Sequence, residues 1–109
     1  MVQKLVAEQL IEEAQKATGL EKFDSESFRE GMDVFLADVN GGEPPESALE
    51  RIRQSTVVNL GVRLKVASYH AQRPELRERP IESPVFVFGI PRTGTTLLSN
   101  LLATDPSRR

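Results

Sequence analysis

The chain has 109 residues, 39% hydrophobic and 28% charged, and its 16 acidic against 14 basic side chains leave a net charge of −2. That length suits one small domain, and that balance excludes disorder by composition and argues against broad nucleic-acid binding. There is no apolar run of membrane-spanning length, and the absence of cysteine excludes disulfides and thiolate metal ligands.

The N-terminal Met1-Val2-Gln3-Lys4 leads into a charged amphipathic stretch rather than a secretory signal, so a cytoplasmic location is the expectation. Val2, Leu5, Val6, Leu10, Ile11, Ala14 and Ala17 recur at helical spacing and predict a helix over 2–18. Glu12 and Lys16 are spaced to pair across one turn, and Gly19 is a natural stop. In a second helix Phe28, Met32, Phe35, Leu36 and Val39 share one face. Ser27 with Glu30 fits a capping box, Asp24 is an alternative cap, and Asn40-Gly41-Gly42 ends the helix. That stripe suits a core face better than a cofactor or partner groove.

Glu43-Pro44-Pro45 forms a short linker, and Ser47 with Glu50 gives another capping box. Leu49, Ile52, Thr56, Leu60, Leu64 and Ala67 continue at helical spacing, while Val58, Leu60, Val62, Leu64 and Val66 alternate as a strand would. The cap favours one long helix, although Gly61 suits neither pattern. Arg73-Pro74 breaks it, and residues 73–84 read as a connector whose arginines (Arg73, Arg77, Arg79) are interleaved with glutamates. A solvated loop fits that interleaving better than a basic nucleotide-steering groove. His70, the sole histidine, reads as a surface or capping residue; a catalytic base would need a partner that the sequence does not define. No metal-ligand spacing occurs.

Val85-Phe86-Val87-Phe88 is a continuous β-branched and aromatic run between Pro84 and Gly89, which predicts a strand buried on both faces. Leu97, Leu98, Leu101 and Leu102 then follow helical spacing up to Asp105-Pro106, where Asp105 caps or ends the helix. Strand, loop and helix in that order make a phosphate cradle. A helix N-terminus offers unpaired N–H groups and about half a positive charge. Gly94 permits close backbone approach, Thr93, Thr95 and Thr96 add hydroxyls, and Arg92 adds a planar cation matched to phosphate or sulfate. Gly89 and Gly94 have Walker A spacing with Thr96 at its Ser/Thr position, but Thr95 occupies the lysine position, which argues against ordinary ATP or GTP hydrolysis. A strand buried on both faces needs paired neighbours, and only one convincing central strand is offered.

The run Gly89-Ile90-Pro91-Arg92-Thr93-Gly94-Thr95-Thr96-Leu97-Leu98, followed by Asp105-Pro106, resembles the 5′-phosphosulfate-binding loop of sulfotransferases, in the branch whose loop reads Pro-Arg-Ser/Thr-Gly-Thr-Thr. The segment from Thr18-Gly19-Leu20 to Ser27-Phe28-Arg29-Glu30-Gly31 is similar to the helical N-terminal region of that branch. The resemblance implies an α/β, P-loop-like sulfotransferase fold. Residues 1–83 would be a helical N-terminal region with connector, and 84–109 the first strand, loop and helix of an incomplete parallel-sheet domain. It implies 3′-phosphoadenosine 5′-phosphosulfate (PAPS) as sulfuryl donor, an unknown hydroxyl or amine acceptor, and no metal. Arg92 would be catalytic, stabilising charge on the bridging oxygen, and Arg92, Thr93, Gly94, Thr95 and Thr96 would bind the cofactor. The family's 3′-phosphate site, acceptor pocket and general base have no match here, so the expectation is the first part of a sulfotransferase, inactive alone. Two alternatives stand beside it: a degenerate P-loop nucleotide kinase or NTPase, and a non-catalytic helical interaction module that associates with itself or another chain.

Overall fold

The computed structural model describes residues 3–108. They divide into two compact units, the first ending at Glu78 and the second beginning at Arg79.

The first unit holds three helices: α1 (Ala7–Thr18), α2 (Phe28–Gly41) and α3 (Glu46–Gln72), followed by a 3-10 turn at Pro74–Glu78. Their core comprises Leu5, Leu10, Ile11 and Ala14 from the α1 region, Leu36 from α2, and Leu49, Leu60 and Leu64 from α3. Phe28, Met32 and Val39 of the expected α2 face pack half-buried against this core, whereas Phe35 is exposed. The single long α3 is what forms where helical and alternating patterns competed. Leu60 and Leu64, one turn apart, are buried, while Val58, Val62 and Val66 lie exposed. Gly61 has a packing reason: a Cβ built there would come within 3.3 Å of Thr18 Cγ2, so α1 and α3 approach closely at that point.

The helix termini differ from the sequence expectations. Helix α1 begins at Ala7, later than expected; of the predicted 2–18 span, residue 2 lies outside the described residues. It ends at Gly19 in the left-handed conformation, with the Gly19 N–H donating to Gln15 O. Glu12 and Lys16 form no ion pair among the described residues. Neither capping box forms. Ser27 has helical dihedrals and makes no side-chain cap bond, and its backbone N–H donates to Ser25 Oγ at 3.1 Å. Asp24, the alternative cap, pairs with Arg77. Helix α3 starts one residue before Ser47, because Pro45 supplies the extended N-cap backbone. Glu50 is drawn instead to Arg53 and Gln54.

One side chain closes the chain's start onto α2. The Leu5 N–H donates to Asn40 Oδ1 at 2.9 Å, and Asn40 Nδ2 donates to Leu5 O at 2.9 Å. Truncation leaves both backbone groups of a buried residue unpaired. Asn40→Ala is therefore expected to destabilise the unit by about 1–3 kcal/mol, whereas Asn40→Gln gives partial retention. Chemical denaturation of the two variants checks this.

Arg53 joins α3 to α1. It forms two parallel bonds to Glu50, both at 2.9 Å, and a further ion pair with Glu13. These bonds, together with Gln54 Nε2 donating to the same carboxylate, hold the Glu50 carboxyl down to about 2 from an ordinary 4.5. A carboxyl more acidic in the folded chain than in the unfolded one stabilises the fold fully above about pH 4.5 and loses that contribution as pH falls toward 2. Glu50→Gln is thus expected to lower Tm at neutral pH, with the gap to wild type closing by pH 2. Thermal melts across that range test the sign.

The second unit contains α4 (Thr95–Ala103) and a 3-10 turn at Pro106–Arg108. Asp105 sits between them and caps the short turn, since its Oδ1 accepts from Ser107 N at 3.0 Å and Ser107 Oγ at 2.8 Å. Those bonds lower the Asp105 pKa. The strand expected at Val85–Phe88 is not formed: no strand occurs among the described residues. A strand exists through ladder bonds to a neighbour, and no described segment supplies one. Phe86 and Phe88 are accordingly 80% and 89% exposed. What is established of the fold among the described residues is therefore a mostly helical chain, without the strand of the expected strand–loop–helix unit.

Candidate functional site

Residues 89–94 make a compact loop that runs into α4. Two of its residues have positive φ: Arg92 at 66° and Gly94 at 89°. Gly94 is the N-cap of α4 and takes this conformation without strain, while Arg92 carries a Cβ and takes it at a cost. The loop is drawn together on its inner side. Thr93 Oγ1 donates to Ile90 O at 2.7 Å, and a Cβ at Gly89 would lie 3.0 Å from Thr93 Oγ1 and 3.2 Å from Thr95 Cγ2.

The donors available to an anion follow from this geometry. The first intrahelical backbone bond runs from Leu98 N to Gly94 O at 3.0 Å. The N–H groups of Gly94, Thr95, Thr96 and Leu97 find no acceptor among the described residues. These are the orphan donors of a helix N-terminus, at its positive end. The Thr95 and Thr96 hydroxyls make no hydrogen bond among the described residues, and Arg92 forms no ion pair there. Thr93 differs, because its hydroxyl proton points into the loop. Ser99, one turn along α4, donates to Thr95 O at 2.8 Å. The five residues singled out from the sequence thus lie on the loop and the first turn of α4: Arg92, Gly94, Thr95 and Thr96 with open donors, and Thr93 with its hydroxyl spent internally.

The left-handed Arg92 and the inward Thr93 hydroxyl had no sequence signal of the usual kind. Positive φ is announced by glycine or asparagine, and Arg92 is neither. The Gly89 contact had a weak signal, a glycine directly after an apolar run.

Other sequence candidates lie in the first unit. His70 stands half-buried near the end of α3, with its ring edge-on to Tyr69 at 6.2 Å, and its Nδ1 has no partner among the described residues. Among the described residues no carboxylate orients it, so the geometry of an oriented general base is not present there. Of the connector arginines, Arg77 pairs with Asp24, and Arg73 lies over the Tyr69 ring at 4.3 Å. Among the described residues no cluster of three or more His, Asp or Glu is placed to hold a metal, and no helix is long and apolar enough to cross a membrane.

The loop and the start of α4 bring together open backbone N–H groups, two threonine hydroxyls and an arginine at a helix N-terminus. Residues 84–109 match the model of the sulfotransferase family, and the resemblance read from the sequence is shown over that segment. No curated protein and no solved structure matches the chain. At the level of the family, the match supports sulfuryl-transfer function.

Proposed function

We propose that this chain carries the 5′-phosphosulfate loop of a PAPS-dependent sulfotransferase. The observation that carries the reading is the set of four N–H groups from Gly94 to Leu97, and the side chain of Arg92 beside them, that have no partner among the described residues, within the segment that matches the family. The donor set fits the ligand: a phosphosulfate presents several anionic oxygens to a positive helix end. Thr95 and Thr96 add hydroxyl donors on the same turn. The guanidinium of Arg92 is permanently charged and matches two oxygens at once.

In this reading PAPS supplies the sulfuryl group for in-line transfer to a hydroxyl or amine acceptor. Gly94, Thr95 and Thr96 orient the 5′-phosphate, and Arg92 stabilises the negative charge that develops on the bridging oxygen. A loop fixed before the ligand arrives needs little reorganisation, which is how electrostatic stabilisation becomes effective. No metal takes part. The acceptor pocket and a general base belong to other residues of a complete enzyme, so the 109-residue chain is expected to bind nucleotide without turnover.

Calorimetric titration with adenosine 3′,5′-bisphosphate tests the reading, with ATP and Mg²⁺ as the competing ligand. Preference for the bisphosphate, independent of Mg²⁺, is the expected outcome. Mg²⁺-dependent ATP binding with no response to the bisphosphate would favour a degenerate P-loop NTPase.

A further inference from the structure

We infer that Thr93 is a positioning residue, whose hydroxyl latches the anion-binding loop from inside and holds Arg92 in its left-handed backbone conformation. Three observations meet at one atom. Thr93 Oγ1 donates to Ile90 O at 2.7 Å, closing the chain across Pro91 and Arg92. The space that lets Oγ1 reach that carbonyl exists because residue 89 is glycine; a Cβ there would stand 3.0 Å from it. The two residues spanned by the bond include Arg92, whose φ of 66° is unfavourable for a side-chain-bearing residue.

A non-glycine residue keeps such a conformation only where its surroundings over-determine it. The loop has no buried core to do this, since Val85, Phe86, Phe88, Ile90, Leu97 and Leu98 are all exposed. The Thr93 hydroxyl bond and the close seat at Gly89 are the local constraints that remain. Thr93 therefore acts through Arg92 and the Gly94–Leu97 amides, not by its own hydroxyl on the ligand. This assignment rests on the proposed function for its ligand, but the latch itself is a property of the ligand-free loop.

Two readouts on the 109-residue chain separate the latch from the ligand. The first is the intraresidue amide-to-Hα nuclear Overhauser effect of Arg92, which is strong where φ is positive. The wild type and Thr93→Ser, which keeps the hydroxyl, are expected to show it. Thr93→Val, which keeps the shape and removes the donor, and Gly89→Ala, which fills the seat, are expected to lose it. The second is affinity for adenosine 3′,5′-bisphosphate: about fivefold weaker in Thr93→Val, and restored to within about twofold in Thr93→Ser. A strong Arg92 signal in Thr93→Val, or none in the wild type, overturns the latch. Equal loss of affinity in Thr93→Ser and Thr93→Val overturns the assignment of the hydroxyl as its working group. If the wild type shows the signal and its loss in Thr93→Val but binds no bisphosphate, the latch stands and the proposed ligand falls.

Discussion

Arg92→Ala is expected to weaken binding of adenosine 3′,5′-bisphosphate by one to two orders of magnitude. Arg92 forms no ion pair among the described residues, so its charge is not already satisfied by a carboxylate. A hydrogen bond to a charged group contributes about 1.5–3 kcal/mol, and that range sets the expected loss. Arg92→Lys keeps the charge but not the fork, and should fall between wild type and alanine. The alanine change also removes the guanidinium without emptying any core, so the loss should appear in affinity and not in Tm. A titration showing equal affinity in wild type and Arg92→Ala would remove Arg92 from the site. A fall in salt sensitivity together with affinity would identify the lost contact as electrostatic.

The second large effect is structural. Leu64→Ala should destabilise the helical unit by about 2–5 kcal/mol, lowering Tm by about 8 °C or more. Leu64 is 0% exposed and belongs to the core that α3 shares with α1 and α2. Its truncation removes apolar burial and leaves a void that the rest of the core can fill only in part. Val62→Ala, at a position 52% exposed, should change stability by no more than about 0.5 kcal/mol. The pair is informative beyond its size. In a strand, residues 62 and 64 share a face and both changes would matter; in a helix they do not. Thermal melts of the two variants therefore test the element type as well as the core.

That contrast shows what was legible in the residues. The helix face of α3 was readable from Leu49, Leu60, Leu64 and Ala67, and the breaks at Gly19 and Arg73-Pro74 from local chemistry alone. The caps were not, because Ser27 and Ser47 compete with tertiary and neighbouring demands that no local motif contains. Glu50 serves Arg53 and Gln54, and Pro45 sets the start of α3. Gly61 was legible only as an anomaly, since its reason is the approach of Thr18 from another helix. Val85–Phe88 has a strand's composition, but composition cannot supply a partner, and the ladder is absent among the described residues. At the loop, the residue types for anion binding were all present in the text of the sequence. Their division of labour was not: only the geometry distinguishes the open Thr95 and Thr96 hydroxyls from the inward one of Thr93.

The most direct test of the central claim is an amide-resolved titration of the chain with adenosine 3′,5′-bisphosphate, alongside adenosine 3′-phosphate, which lacks the 5′ group. The proposed site predicts saturable shifts at Gly94, Thr95, Thr96 and Leu97 with the first ligand and none at those amides with the second. Shifts of equal size with both ligands, or none at these four amides with either, would contradict a 5′-phosphosulfate loop at the start of α4.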